Sequence, residues 1–391
     1  MKTDHTVHLI TAIRIFMVSG AIVVPGLPPL LRAHGTSIWE MEIWFAAALL
    51  LCLVPTGLLA DRVGERLVML IGSILLISGQ LAYFFADSYK IFVLAELFLG
   101  TGLACIMGSD ESLLHRSLGS SPKKLQFSSS WNMMVALQVI AVSLCFLAGE
   151  YASRLHEKLP FALSLIGYTG LLVSVFALGS PPTQNKARSS MRIQWVKLGR
   201  VLIFNPALLS SIVIYAFFVA VLRSIFWGYH EVLEASNSHM GVGFALSIGS
   251  LVAALSAMKS GAIKERVSSN LLLFSVGIGI GATLILMGGL LSSWCFLWVF
   301  VHQFFRGQVL TSFSAEIHEH VKDEAGEVRS AVVSFREMTY LVIYLSMMFF
   351  AHFVNVKITA SGIFVTLGSI TLVATLLFSV LGLCMQGVKA K

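Results

Sequence analysis

The chain contains about twelve stretches of roughly 20 apolar residues, the length a helix needs to cross a bilayer, joined by short polar connectors. Apolar residues make up 57% of the sequence and charged residues only 12%, about half the charged share of a soluble domain. Backbone groups in lipid must be hydrogen-bonded within the protein, which leaves helices or closed barrels. Unbroken apolar runs such as residues 71–81 do not alternate as barrel strands do. The sequence therefore predicts an all-α membrane protein.

The order of the apolar stretches predicts two pseudo-symmetric halves of six helices each. The first half covers residues 1–180 and the second covers residues 200–391, with a basic, proline-containing cytoplasmic linker at 181–199. A similar acid–base turn follows the second and the eighth span, as expected of duplicated halves. The predicted spans are 8–31, 42–60, 67–86, 91–114, 125–149, 160–180, 201–228, 240–262, 268–291, 293–315, 329–354 and 358–384.

The basic residues set the predicted orientation. Of the 27 Lys and Arg residues, 18 fall in loops and tails predicted inside and 5 in loops predicted outside, which matches the positive-inside rule. Both termini are therefore predicted to be cytoplasmic, and the net charge of +7 implies no nucleic-acid partner. The other four bases lie within predicted spans: Arg14, Arg223, Arg306 and Arg336.

The loop after the second span holds an ordered set of glycines and charges, Gly57-Leu-Leu-Ala-Asp61-Arg62-Val-Gly64-Glu-Arg66. An acid at a helix end can pair with bases or meet the positive N-terminal end of another helix. Glycines permit close helix approach and a tight turn. Such a contact would hold helix ends together, and the simpler alternative is a solvated charged turn.

This loop resembles the signature between helices 2 and 3 of the major facilitator superfamily of transporters, with Glu65 standing where the family usually has a base. Residues 108–114 and 327–335 resemble stretches of prokaryotic members, so the resemblance covers nearly the whole chain. It implies a twelve-helix fold in two halves, secondary transport by alternating access, and a gating role for the loop at 57–66. We expect the bacterial cytoplasmic (inner) membrane as the location.

Two departures from the family pattern bear on the mode of transport. The fourth span has Glu96 where the family has an arginine often linked to proton coupling, and the fifth span lacks the G-x-x-x-G-P signature associated with antiporters. Both weaken a drug/proton antiporter interpretation and leave the direction of transport open.

Ionisable groups at membrane depth cost a few kcal/mol each and commonly mark function. In the resembled fold, the first, fourth, seventh and tenth helices line a central cavity. We predict that Arg14, Arg223, Arg306 and Trp131 bind substrate, with Arg306 foremost because a guanidinium forks onto a carboxylate. The alternative for Arg223 is snorkelling or pairing with Glu231.

The intramembrane acids are the predicted proton-coupling groups: Glu96, Asp110 and Glu111. Arg14 can instead form a structural pair with Asp110 or Glu111, because a neutralised pair costs less than two lone charges. For Arg336 and Glu337 we predict a gating role near the inner mouth.

The cargo predicted from the buried arginines is a small anionic or carboxylate-bearing organic solute, such as a metabolite or a siderophore-like chelate. A multidrug or amphiphile efflux pump is the alternative within the same class, and a non-transporting sensor or an intramembrane enzyme is the alternative outside it. Residues 318–320 read His-Glu-His, which lacks the i, i+4 spacing of H-E-x-x-H zinc sites. We therefore predict no enzyme activity, no metal and no cofactor, and as partners a proton or other ion and the lipid bilayer, with a monomeric chain.

Overall fold

The structure is a computed structural model, and it describes residues 2–107, 109, 124–178, 199–314, 316–317, 326–355 and 359–389. Two segments depart from α geometry, a 3₁₀ helix at Val18–Val23 and a π-helix at Val309–Phe313. The α-helices are α1 Lys2–Met17, α2 Leu27–Ala33, α3 Ile38–Val63, α4 Glu65–Phe84, α5 Tyr89–Ile106, α6 Lys124–Leu155, α7 Leu159–Ala177, α8 Pro206–Ala235, α9 Val242–Arg266, α10 Ser269–Gly289, α11 Phe296–Gln308, α12 Gly326–Asn355 and α13 Ala360–Lys389.

The prediction of a helical membrane protein is confirmed, but not all twelve spans are recovered. Within the described ranges, nine helices are long and apolar enough to cross a membrane, or ten if one bent pair is a single span. That pair, His8–Val23 and Leu27–Ala33, bends by 41° at the first predicted span. The tenth predicted span is divided, because α11 has only 13 residues before the π-helix begins.

The break in the first span follows from its sequence. Pro28 and Pro29 stand in the first turn of α2, where proline is tolerated because those N–H groups have no intrahelical acceptor. A continuous helix through them would lose hydrogen bonds and meet the proline rings. The bend of 41° therefore lies just before these prolines.

Several helices begin at side chains that cap free N–H groups. Ser37 accepts a hydrogen bond from the Trp39 N–H at 3.2 Å, before α3. Asn205 accepts one from the Leu208 N–H at 3.1 Å, before α8. Ser268 accepts one from the Leu271 N–H at 3.4 Å, before α10. Capping removes an unpaired donor from each helix end.

The chain divides into two compact units. Unit 1 contains residues 1–183 and 241–251, and unit 2 contains residues 184–240 and 252–391. The α9 helix therefore begins in unit 1 and continues in unit 2. In unit 1, α4 and α3 both pack along α5, and α7 packs against α4 and α1. In unit 2, α10 packs along α13, and α8 packs on α12.

A buried apolar cluster holds unit 1 together, while other large apolar side chains remain on its surface. The cluster joins α1, α4, α5, α6 and α7 through residues such as Ile13, Leu76 and Leu171. By contrast, Leu51 is 73% exposed in unit 1, and Phe204 is 82% exposed in unit 2. Surface side chains of this kind are stable in contact with lipid, as the composition predicts.

Candidate functional site

A series of hydrogen-bonded polar side chains, called here the polar chain, runs through the interior of unit 2. On α11, Arg306 donates through NH1 to the Gln303 Oε1 at 3.0 Å. The Gln303 Nε2 donates to the Tyr229 hydroxyl at 3.4 Å, and that hydroxyl lies 2.5 Å from the His302 Nδ1. His302 is fully buried and Gln303 is 2% exposed. The principal predicted substrate ligand, Arg306, is thus one end of a four-residue polar chain.

The other two arginines of unit 2 that were predicted within spans lie over aromatic rings. The Arg223 guanidinium is 5.5 Å from the centre of the Tyr344 ring, and the Arg336 guanidinium is 4.9 Å from the Tyr215 ring. Arg336 also forms an ion pair with Glu337 at 2.6 Å. A cation over an aromatic face is attracted by the ring's negative quadrupole. These contacts fix both guanidinium groups between α8 and α12.

Arg336 has a further partner beyond the π-helix. Its NH1 donates to the Ser314 hydroxyl at 3.2 Å. The predicted gating pair, Arg336 and Glu337, therefore ties α12 to the segment that follows the π-helix and to α8 through Tyr215. This arrangement fits a hinge between three elements, although the gating role itself stays a prediction.

In unit 1, the predicted substrate ligand Arg14 reaches α6. Its NH1 donates to the Gln138 Oε1 at 3.4 Å. The acids Asp110 and Glu111, its predicted partners, lie outside the described residues. Trp131 belongs to α6, but its side chain also lies outside what the structure describes.

The predicted proton carrier Glu96 lies on α5 and is 3% exposed. Its carboxylate accepts a hydrogen bond from the Tyr83 hydroxyl of α4, and the Tyr83 ring stacks on Phe161 with centroids 5.5 Å apart. A second acid, Glu42 on α3, is also 3% exposed and interacts electrostatically with Tyr83. Tyr83 thus binds one buried carboxyl group directly, and a second buried carboxyl group acts on it electrostatically.

The signature loop forms the turn between α3 and α4. Gly64 has φ +94° and ψ 147°, a conformation that is nearly restricted to glycine. Arg66 donates to the Phe176 carbonyl oxygen at 2.5 Å and lies over the Phe176 ring, so it binds the end of α7. Arg62 is exposed, and the Asp61 side chain lies outside the described set.

Close approach, which the sequence suggested for Gly57, is not observed there. A Cβ built on Gly57 meets no atom of the described structure within 4 Å. Its role in a gate stays a prediction, while the expected tight turn is present at Gly64.

A second polar contact in unit 1 joins α6 to the start of α9. The Glu150 Oε2 accepts a hydrogen bond from the Gly243 N–H at 2.7 Å. Its Oε1 accepts bonds from the Arg154 Nε at 3.1 Å and NH2 at 2.7 Å. About two turns back along α6 and one turn on along α9, the hydroxyls of Ser143 and Ser247 lie 2.8 Å apart. A carboxylate at a helix N-terminus is stabilised by the free N–H groups and the helix dipole.

Sequence reasoning missed several of these residues. His302 and Gln303 precede Arg306 in a helix that is otherwise aromatic and aliphatic, Phe-Leu-Trp-Val-Phe-Val-His-Gln-Phe-Phe-Arg. Three polar groups on one such helix were an available signal. Glu42 and Glu150 stand near predicted span ends, where charges are ordinary, so no signal distinguished them.

Comparison with known proteins identifies the family of this chain. The model of the Major Facilitator Superfamily matches residues 9–337. The fold is similar to that of a POT family transporter, PepTSo, with a TM-score of 0.76, 12% identity and coverage of 98% of each chain. It is also similar to an auto-inhibited POT family peptide transporter, with a TM-score of 0.72, 14% identity and coverage of 96% of each chain.

A third similar structure is a POT family transporter in complex with 5-aminolevulinic acid. Its TM-score is 0.68 at 15% identity, over 96% of this chain and 95% of the other. At these identities the likeness establishes the fold, so the ligand chemistry has to be argued from the residues of this chain.

Proposed function

The chain belongs to the major facilitator superfamily, and from that premise we propose that it carries a small anionic or carboxylate-bearing organic solute by alternating access, coupled to protons. The family makes it a multi-pass membrane transporter of the secondary class and not an enzyme. The cargo, the coupling ion and the residues that bind them are the proposed part.

The cargo proposal rests mainly on the surroundings of Arg306. Among the described residues, its guanidinium donates to the neutral Gln303 carbonyl and forms no ion pair. A second cation, Arg223, acts on Arg306 electrostatically. Positive charge at membrane depth is costly without a counter-charge. An anionic cargo supplies that counter-charge while it is bound, and a planar carboxylate matches the guanidinium fork.

Proton coupling is assigned first to Glu96. A buried carboxyl group is costly when ionised, and its bond to Tyr83 persists in either protonation state, because a hydroxyl can donate or accept. Asp110 and Glu111 remain the other proposed carriers. The excess of bases on one side supports cytoplasmic termini in a bacterial inner membrane.

A second function is favoured by the acids of unit 1. Glu42 and Glu96 are both 3% exposed, and buried carboxylates could bind a cationic amphiphile. In that case the protein would be an efflux pump, and Arg306 would be structural.

The experiment is a thermal-shift screen of the purified protein in detergent with anionic, neutral and cationic solutes. A ligand that binds only the folded state stabilises it by mass action, by about 2.7 kcal/mol at one hundred times its Kd. The panel includes 5-aminolevulinic acid and a dipeptide as probes. Arg306→Ala and Arg306→Lys are tested beside the native chain, and Arg200→Ala removes an exposed arginine as the matched control.

Anionic solutes should raise the melting temperature of the native protein and of Arg200→Ala. They should fail with Arg306→Ala and act weakly with Arg306→Lys, which keeps the charge but loses the fork. If only cationic amphiphiles stabilise the protein and the Arg306 variants respond equally, the anion proposal is wrong and the efflux function stands.

A further inference from the structure

The polar chain of unit 2 has a defined direction. Arginine can only donate hydrogen bonds, so the Gln303 atom that faces Arg306 must be the carbonyl oxygen. The amide nitrogen then faces Tyr229 and donates to its hydroxyl oxygen. The hydroxyl hydrogen then binds the His302 Nδ1, 2.5 Å away, because the opposite direction would leave that buried hydrogen without an acceptor. Every bond in the chain therefore points from Arg306 towards His302.

This direction fixes the state of the histidine. Because Nδ1 accepts from Tyr229, the proton of the neutral ring must be on Nε2. That Nε2 is buried and has no hydrogen-bond partner among the described residues. His302 is itself 0% exposed, so one end of the chain is a buried imidazole whose Nδ1 can take up a proton.

We propose that His302 binds the coupling proton of unit 2, and that its protonation releases Arg306 to hold the cargo anion. This inference rests on the proposed anionic cargo. A proton from solution binds the Nδ1, which then donates to the Tyr229 oxygen. Tyr229 turns its hydrogen to Gln303, whose amide flips so that its oxygen accepts. The Gln303 nitrogen now faces Arg306, and the bond from the Arg306 NH1 is lost.

The charges around His302 give the coupling its sign. Arg306 lies one turn away on the same helix, and its charge repels a proton at His302. Arg223, from α8, acts electrostatically on Arg306.

Besides α8, the helices α9 and α10 pack on α11. The α10 helix contains no titratable side chain, and α9 contacts α11 at Ser256, three residues before Lys259. The π-helix contains no titratable side chain. From α13 the neighbour of Tyr229 is the Phe364 ring. An anion on Arg306 offsets the repulsion, so anion and proton favour each other reciprocally.

The first test needs no cargo. Histidine-selective ¹⁵N NMR of the purified protein, with His302→Gln to identify the signal among 11 histidines, should show His302 as the Nε2–H tautomer at neutral pH. Tyr229→Phe removes the hydroxyl next to the His302 Nδ1. The proportions of the two His302 tautomers, and the titration of the His302 signal, should therefore change. A native Nδ1–H tautomer, or a signal that Tyr229→Phe leaves unaltered, overturns the proposal.

The second test measures the Kd of an anionic solute, 5-aminolevulinic acid or another anion that stabilises the protein, against pH. Affinity should rise on acidification by up to about tenfold per pH unit, the limit for one linked proton. His302→Gln and Tyr229→Phe should flatten this dependence, and His352→Gln, on α12 with its ring against Phe353, should keep it. A native pH dependence retained in Tyr229→Phe overturns the coupling.

The two proposals fail differently. If no anionic solute binds at any pH while the NMR signal has the expected tautomer and responds to Tyr229→Phe, the anionic cargo is wrong and the hydrogen-bond chain stands. If anions bind through Arg306 with no change between pH 5 and 8, the cargo stands and His302 does not carry the linked proton.

Discussion

Glu150 accepts a hydrogen bond from the backbone N–H of Gly243 at 2.7 Å, and the absence of a side chain at Gly243 permits it. A Cβ there would lie 2.5 Å from the Glu150 Cβ and 2.6 Å from the Phe146 carbonyl oxygen. Real Cβ atoms do not approach so closely, so α6 and the start of α9 pack at a distance that only glycine allows.

Gly243→Ala should separate these helices and lower the free energy of unfolding by about 1–3 kcal/mol, the usual cost of overpacking. The measurement is the thermal unfolding midpoint in detergent. Gly261→Ala is the matched control on the same helix, since its Cβ meets nothing within 4 Å. Equal midpoints for the two variants would show that the close contact does not contribute to stability.

The two partners of Glu150 should differ in importance. The Glu150 side chain is 10% exposed and that of Arg154 is 59% exposed. Glu150→Ala leaves the Gly243 N–H without its acceptor and should destabilise by about 1–3 kcal/mol, whereas Arg154→Ala removes a largely solvated ion pair of about 0–1 kcal/mol. A double-mutant cycle on the unfolding free energy measures both. An Arg154 effect as large as that of Glu150 would contradict this ranking.

Substitution of the two glycines of the signature loop should distinguish an effect on folding from an effect on gating. Gly64→Ala forces a side chain into a φ of +94° and should destabilise by about 1–3 kcal/mol. Gly57→Ala lies in α3 with open space around its Cβ, so the fold should tolerate it and could gain up to about 1 kcal/mol of helix propensity. Unfolding midpoints and transport in vesicles are measured on both. A stable Gly57→Ala protein with full transport would remove Gly57 from the gate.

Glu96→Gln should remove the proton that unit 1 carries without abolishing exchange of cargo. The amide keeps a hydrogen-bond acceptor for Tyr83 but cannot gain or lose the proton. In vesicles, uptake driven by a pH gradient should fall below the native level, while exchange of labelled for unlabelled cargo continues. Gradient-driven uptake at the native level would exclude Glu96 as a carrier.

Tyr83→Phe tests whether the hydroxyl stabilises the Glu96 site. Removing the donor leaves a buried carboxyl group with one hydrogen bond fewer, which should lower the unfolding free energy by about 1–3 kcal/mol. Tyr151→Phe is the control, because Tyr151 is 55% exposed and its ring packs edge-on against Phe244. A Tyr83 variant as stable as this control would show that the bond contributes little.

Hydrophobic patterning alone determined the class of this protein. In an unbroken run of about 20 apolar residues, the backbone N–H and C=O groups can all be hydrogen-bonded within the run only if it forms a helix. The ordered loop at 57–66 carried the family resemblance. The break before Pro28 and Pro29 likewise has a local cause, because proline lacks the N–H that a continuous helix needs. These are local properties, so neighbouring residues in the chain are enough to specify them.

Only the tertiary structure decided which side chains meet. Tyr229 and His302 are 73 positions apart in the sequence, and Glu150 and Gly243 are 93 apart. Such pairs depend on helix rotation and packing, which single-helix periodicity does not contain. The sequence could select Arg306 because a charge in an apolar span is costly wherever it lies. It could not show the direction of the hydrogen bonds leading from Arg306 to His302, because that direction exists only once α8 and α11 are packed together.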